Sequence, residues 1–309
     1  MAEKKMKGSY ILMEALKQEG VDTIFGYPGG NIIPVFDALY DYQDDFNYIL
    51  MRHEQAVTHA AEGYARASGK PGVCIVTSGP GATNTITGIG DAMMDSTPMI
   101  VITGQANAAS LGTDAFQEID LVGITQPITK WSYQIRRAED IAYAVARAFH
   151  IATTGRPGPV VLDFAKNAQN ELFEFQPQKI SIARGYIPYP DLNEKQVDEV
   201  ANLINESKKP LVLVGQGVIL SNAEKELLAF LEKADIPAAS TLLGLSAMPS
   251  DFRLNKGFIG MHGNIAPNKK TNECDLLIGI GMRFADRVTG NVKTYAKQAK
   301  IVHIDIDIS

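Results

Sequence analysis

Short apolar runs alternate with helix-period segments along the whole chain, and this alternation constrains the fold more than any other feature. Strand-like runs fall at residues 23–26, 48–51, 73–77, 99–103 and 159–164, with helical patterns at 31–40, 54–68, 82–94 and 139–153 between them. Strand, helix and strand in succession are the unit of a parallel sheet whose helices cover both faces. The expected class is α/β, with doubly wound parallel sheets. After a stretch at 171–191 that holds Pro177, Pro188 and Pro190 and little periodicity, the theme resumes. A helix is expected at 193–207, a strand at 211–215, a helix at 223–234, and strands at 275–279 and 300–305. The chain has 309 residues, and domains usually take ~100–200 residues. Two domains, 1–170 and 192–309, joined by a linker at 171–191, follow.

Chemistry concentrates at two places in the first domain. Arg52-His53-Glu54-Gln55 opens a helix whose Val57, Ala60, Ala61, Tyr64 and Ala65 recur at helical spacing. Glu54 lies one turn before Val57 and two before Ala61, on the same apolar face. An unpaired ionised carboxylate there would be costly, so the position calls for a shared proton or a specific hydrogen-bond partner. Thr77-Ser78-Gly79-Pro80-Gly81-Ala82-Thr83-Asn84 follows the apolar run Val73-Cys74-Ile75-Val76 and leads into another helix. Its glycines allow a backbone to approach a ligand closely, and ligands on parallel sheets bind beyond the carboxyl ends of the strands. Gly26-Tyr27-Pro28 falls at another such end. Each signal also has a plainer reading. A glutamate in a first helical turn complements the helix dipole, and Gly-Pro-Gly is ordinary strand-to-helix punctuation. Gly215-Gln216-Gly217 lacks the third glycine of a dinucleotide fingerprint.

A longer series of ordered motifs narrows these alternatives. Gly26-Tyr27-Pro28-Gly29-Gly30, Arg52-His53-Glu54-Gln55, the segment Ala61-Glu62-Gly63-Tyr64-Ala65-Arg66 and Thr77 to Asn84 occur in that order. Gly112-Thr113-Asp114-Ala115-Phe116-Gln117-Glu118, Thr129-Lys130-Trp131 and Gly155-Arg156-Pro157-Gly158-Pro159-Val160 follow. From about residue 8 onward the chain resembles the large catalytic subunit of acetolactate synthase (acetohydroxyacid synthase), a thiamine-diphosphate enzyme family.

The resemblance implies that 1–170 binds the pyrimidine of thiamine diphosphate and that 192–309 is a truncated central FAD-binding domain. It implies that Glu54 hydrogen-bonds the pyrimidine ring and favours the imino form, whose nitrogen takes the proton from the thiazolium carbon. Pyruvate would then lose carbon dioxide, and the remainder would add to pyruvate or 2-oxobutyrate. Tyr27, Pro28, Gly29, Thr77, Pro80 and Asn84 would line the pyrimidine pocket, Phe116 and Gln117 would face the reacting centre, and Lys166 would lie near the substrate channel. Glu54 and Gln117 carry the catalytic expectation. FAD contacts would come from Arg156, Gly215, Gln216, Gly217, Thr241, Leu242, His262, Gly281, Arg283 and Asp305. The family pattern Asp-Leu-Pro-Lys-Asp reads Asp163-Phe164-Ala165-Lys166-Asn167 here. Its Arg-Phe-Asp-Asp-Arg has become Arg283-Phe284-Ala285-Asp286-Arg287, and Ser246 stands where glycine is usual.

Composition sets the outer limits. A net charge of −6 and no long Lys/Arg run argue against nucleic acid. No run approaches the ~18 apolar residues of a membrane span, and the cytoplasm is the expected compartment. Cys74 and Cys274 lack metal-ligand spacing and read as buried thiols. The histidines His53, His59, His150, His262 and His303 form no ligand pattern, so no protein-only metal site is expected. Members of the family hold the diphosphate and its Mg2+ through Gly-Asp-Gly and a later Asn, and the nearest match here is Gly90-Asp91-Ala92. The chain is therefore expected to be a fragment, the product of an interrupted gene or half of a split enzyme, with little activity alone. A homodimer or higher oligomer, a separate C-terminal half and a regulatory small subunit are the expected partners. The alternatives are an inactive, structural module that pairs with intact subunits and a flavin-free catabolic relative.

Overall fold

The computed structural model describes residues 5–307, which divide into two compact units between Pro188 and Tyr189. The strands of the first unit are β1 (Lys5–Lys7), β2 (Thr23–Tyr27), β3 (Asn47–Leu50), β4 (Gly72–Val76), β5 (Met99–Gln105), β6 (Trp131–Ile135), β7 (Pro159–Ala165) and β8 (Leu172–Glu174). Its helices are α1 (Gly8–Gln18), α2 (Ile33–Asp41), α3 (Glu54–Ser68), α4 (Pro80–Thr83), α5 (Ile86–Met94), α6 (Leu121–Thr125), α7 (Ile141–Thr153) and α8 (Lys166–Asn170). Strands β2 to β7 make a parallel sheet in the order β3-β2-β4-β5-β7-β6, while β1 pairs antiparallel with β8.

The sheet is covered on both faces, which is why its central strands read as unbroken apolar runs. Alternate residues serve opposite cores. Val73 and Ile75 join Ile100, Ile102, Val160 and Leu162 in the core under α1, α2 and α7. Cys74 and Val76 join Val101 and Val161 in the core that also holds Val57 and Ala61 of α3 and Ile89 of α5. Both cysteines are buried free thiols, and burial pushes the Cys274 thiol up to about 11.

Helix α3 runs between the expected bounds for local reasons. His53 caps it, its Nδ1 accepting the Gln55 N–H at 3.1 Å, and Gly69 ends it in the left-handed region at φ 73°. The helix expected at 82–94 is instead split into α4 and α5. Thr85 donates both its N–H (3.1 Å) and its hydroxyl (2.6 Å) to the Ala82 carbonyl, closing a three-residue turn between them. Of the segment at 171–191, the first part forms β8 and Ala183 is buried in the first unit's core.

The second unit comprises α9 (Glu194–Glu206), β9 (Pro210–Val214), α10 (Gln216–Leu220), α11 (Glu224–Ala234), β10 (Ala238–Ser240), β11 (Asn255–Phe258), α12 (Ile265–Lys270), β12 (Leu276–Ile280), α13 (Asp286–Thr289) and β13 (Lys300–Ile304). Its sheet is parallel, in the order β11-β10-β9-β12-β13. Strands β10 and β11 escaped the sequence reading because neither carries an apolar run; β10 is Ala-Ala-Ser. Val212, Val214 and Ile278 face one core, and Leu211, Leu213 and Leu277 the other.

Candidate active site

In a parallel sheet each helix that follows a strand starts at the sheet's carboxyl edge, and α3 begins there with Glu54. The side chain is only 8% exposed. Its Oε2 accepts a hydrogen bond from the Asn84 amide at 2.9 Å. A carboxylate can only accept, so this contact also fixes which way the Asn84 amide faces. Among the described residues Oε1 has no hydrogen-bond partner. Asn84 follows α4, which starts beyond the carboxyl end of β4, one strand removed from β3 across β2. Pro80 takes the first position of α4, where its missing N–H costs nothing.

Glycines bring these segments together. A Cβ on Gly81 would sit 2.6 Å from Thr77 Cγ2 and 3.2 Å from Glu54 Oε1, and one on Gly29 would sit 2.5 Å from the same Thr77 methyl. Thr77 is thus wedged between the loop after β2 and the start of α4. Asn31 joins the same two loops, its N–H reaching Thr77 Oγ1 at 3.3 Å and its amide reaching Ser78 Oγ at 2.7 Å. The Asn31 carbonyl accepts from the buried amide of Gln169 at 2.8 Å. Neither Asn31 nor Gln169 was singled out from sequence. Asn31 directly follows the glycine motif at 26–30, whereas Gln169 carries no local signal.

Gln117 reaches the same edge from another loop. Gly79 and Gln117 both adopt left-handed backbone, φ 56° and φ 57°. They abut, since a Cβ on Gly79 would lie 2.9 Å from both Cβ and the carbonyl oxygen of Gln117. A non-glycine residue held at positive φ is costly and clusters at functional sites. Phe116, next to it, is 82% exposed. Lys166, at the carboxyl end of β7, donates to the Gly30 carbonyl at 3.2 Å. Tyr27, Pro28, Gly29, Glu54, Thr77, Pro80, Asn84, Gln117 and Lys166 therefore occupy one edge of the first sheet. Arg156 does not: it precedes β7, at the amino edge, where its Nε donates to Ser96 Oγ at 2.9 Å.

The residues expected to contact a flavin in the second unit also follow carboxyl ends: Gly215, Gln216 and Gly217 after β9, Thr241 and Leu242 after β10, His262 after β11, Gly281 and Arg283 after β12, and Asp305 after β13. Here the glycines meet backbone. A Cβ on Gly215 would sit 2.1 Å from the Gly281 carbonyl oxygen, and one on Gly217 would sit 2.6 Å from Gly281 Cα. Gly217 N–H bonds that carbonyl at 2.9 Å, and Gly281 N–H bonds the Ile304 carbonyl at 2.8 Å. His303 Nε2 lies 2.7 Å from the Met282 carbonyl and 3.6 Å from Asp305 Oδ2. Leu242 is 67% exposed beside this edge.

Away from both edges, ligand atoms of His59, Glu62 and Asp91 lie within 4.8 Å of one another. Glu62 is already bonded to the Arg66 guanidinium at 3.0 Å. Burial and the neighbouring Asp91 charge raise its carboxyl. We assign no metal there. No helix among the described residues is long and apolar enough to cross a membrane.

Comparison with known proteins places these edges in context. Residues 6–124 match the N-terminal TPP binding domain of thiamine pyrophosphate enzymes, and residues 197–309 match the central domain of the same enzymes. A probable acetolactate synthase large subunit from Methanocaldococcus jannaschii is 50% identical over 98% of the chain and 51% of its own length. The acetolactate synthase large subunit of Corynebacterium glutamicum is 47% identical over 99% of the chain and 49% of its own length. For the isozyme 2 large subunit of Escherichia coli the values are 45%, 98% and 54%. The chain spans about half the length of these relatives.

Proposed function

We propose, for a chain that belongs to the thiamine pyrophosphate enzyme family, that its first unit forms the pyrimidine-binding part of an acetolactate synthase active site. The reaction is the decarboxylation of pyruvate and the addition of the remaining two carbons to a second 2-oxoacid, pyruvate or 2-oxobutyrate. The products, 2-acetolactate or 2-aceto-2-hydroxybutyrate, belong to branched-chain amino-acid biosynthesis. Thiamine diphosphate, when bound, supplies the nucleophilic carbon and the electron sink.

The observation that carries this reading is the setting of Glu54. One carboxylate oxygen is held by Asn84 at 2.9 Å, and the other is without a hydrogen-bond partner among the described residues. That oxygen is open to a ligand, and a basic ring nitrogen is the partner it would hold a proton against. Gly29, Gly79 and Gly81 let Thr77 and the Gln117 loop close in around Glu54, and Asn84 keeps the carboxylate from rotating. Thr77 and Pro80 would form the apolar wall, Tyr27 and Pro28 the rim, and Lys166 and Phe116 would meet the 2-oxoacid. For FAD we propose the carboxyl edge of the second sheet, with Thr241, Leu242, His262, Arg283 and Asp305 exposed to the ligand and Gly215, Gly217 and Gly281 shaping the edge beneath it. The diphosphate and Mg2+ are assigned to a complementary domain of the kind that carries Gly-Asp-Gly. A homodimer and a regulatory small subunit are the proposed partners.

Mixing the chain with a separately expressed C-terminal half of a relative, with thiamine diphosphate, Mg2+, FAD and pyruvate, tests the reading. Acetolactate formed only in the mixture, by yellow protein, is the expected result. Active but colourless protein would favour a flavin-free relative. Association without product at saturating cofactor would favour an interaction module.

A further inference from the structure

We propose that Asp163 and Asn167 are positioning residues that clamp the two ends of the loop carrying Gln117. The inference rests on the reading of Gln117 as a residue at the reacting centre.

Asp163 lies in β7, fully buried, directly across from Thr103 of β5 and Gln134 of β6 in the sheet register. Its Oδ1 accepts the Thr103 hydroxyl at 3.0 Å, and its Oδ2 accepts the amides of Gln105 (3.0 Å) and Gln134 (2.8 Å). No cation pairs with it among the described residues, and desolvation raises its carboxyl despite the three hydrogen bonds. A buried acid of this kind is expensive compared with an apolar side chain, so packing does not account for it.

Its consequence is directional. Because a carboxylate only accepts, Gln105 must turn its NH2 toward Asp163. The same NH2 then spends its second hydrogen on the Ile119 carbonyl at 2.9 Å, and the Gln105 amide oxygen is left facing the Ala106 N–H at 2.8 Å. One buried acid thus sets the rotamer of an amide that grips both feet of the loop, residues 106 and 119.

Asn167 makes a second grip at the same foot. Its amide oxygen accepts the Ala108 N–H at 2.8 Å, and its NH2 donates to the Arg136 carbonyl at 2.8 Å. Only a side chain with both an acceptor and a donor can make this bridge. The aspartate usual at this place in the pattern that the chain resembles would keep the first contact and lose the second. Between the clamps the Glu118 carboxylate accepts the N–H groups of Gly112 and Ala115, the latter at 3.2 Å, so the loop is internally braced. A shift at either foot is passed on to Gln117 and its close contact with Gly79.

The test uses Asn167→Ala, a surface change that leaves both cores intact, alongside Asp163→Asn. In the chain as it stands, amide hydrogen exchange at residues 107–119 should speed roughly fivefold in Asn167→Ala, the loss of the bond to the Ala108 N–H, with no change in α3. In the completed enzyme kcat should fall roughly ten- to hundredfold, while proton exchange at the thiazolium carbon, the Glu54 step, stays at the wild-type rate. Combining Asn167→Ala with Gln117→Ala should add nothing to the loss from Gln117→Ala. Unchanged loop exchange in Asn167→Ala overturns the clamp, even if Asp163→Asn fails to fold. Faster loop exchange with unchanged kcat overturns the positioning role. A wild-type mixture that makes no product overturns the proposed function instead, and loop exchange then decides the clamp by itself.

Discussion

The two sheets of this protein have the same architecture and use glycine at the same edge, yet the spaces those glycines leave are filled differently. In the first unit a Cβ on Gly29, Gly79 or Gly81 would strike a side chain or the Gln117 loop, beside a buried carboxylate with its own amide partner. In the second, Gly215, Gly217 and Gly244 press against the backbone of Gly281 or Val214. The first set lets Thr77 and the Gln117 loop close around the carboxylate; the second joins strand ends to one another. Glycine at a strand end is therefore not a ligand signature in itself, and what faces the missing Cβ distinguishes the two cases.

The largest expected effect breaks the comparison at its chemical end. Glu54→Gln in the completed enzyme should slow proton exchange at the thiazolium carbon roughly 10²–10⁴-fold and leave bound flavin unchanged. Deuterium exchange read by NMR measures the first and absorbance the second. Exchange at the wild-type rate would remove Glu54 from the chemistry and reduce the edges to two versions of one packing device.

Next comes Gly215→Ala. The added methyl would meet the Gly281 carbonyl oxygen at 2.1 Å and Met282 Cβ at 2.5 Å, and shortening a side chain relieves neither the backbone clash nor the Cβ. It should destabilise the protein by about 3 kcal/mol, the upper end of the usual overpacking range, as read from denaturant midpoints. Gly81→Ala should cost about 1–3 kcal/mol and be recoverable, since the atom in its way is Thr77 Cγ2. Adding Thr77→Ser removes that methyl and keeps the hydroxyl that Asn31 N–H reaches. The double variant should regain most of the loss; if it does not, the Glu54 carboxylate, with Oε1 3.2 Å from the same point, sets the gap at Gly81.

The smallest effect is a contrast in acid response. Asp275 accepts the Ser207 hydroxyl and the N–H groups of Lys208 (2.8 Å) and Lys209 (2.9 Å), which hold its carboxyl down at about 2. Its folded value lies below the unfolded one of about 3.9, so its stabilisation is present above pH ~4 and lost as pH falls toward 2. Asp163 is raised by burial, so its contribution has the opposite sign: present below pH ~4 and lost as pH climbs through its folded value. Stability against pH for Asp275→Asn should therefore be flatter between pH 4 and 2 than for wild type. An unchanged curve would mean that the Ser207 and backbone contacts are indifferent to charge.

Much of this organisation was readable in the residues themselves. Parallel strands buried on both faces appear as continuous apolar runs, so β2, β4, β5, β7, β9 and β12 could be placed to within a residue or two. Helix α3 carried its own start and stop in His53 and Gly69. Glu54 and the Thr77 to Asn84 segment stood out because an acid on an apolar face and a glycine-rich strand end each have a local cost that demands a reason. The short strands β10 and β11 had no such mark, because their place in the sheet comes from neighbours and not from apolar content.

The chain by itself thus determined the alternation of strand and helix and marked the edge and the acid proposed to act there, since each depends on residues a few positions apart. Only the tertiary structure decided that Asn84 holds Glu54, that Gln169 supports Asn31 and that Asp163 orients Gln105. Those contacts join residues 30, 138 and 58 positions apart for Asn84, Gln169 and Asp163. Their partners exist only once the sheet has closed, because a hydrogen bond needs its two atoms within about 3 Å, and no local pattern in the chain encodes that distance.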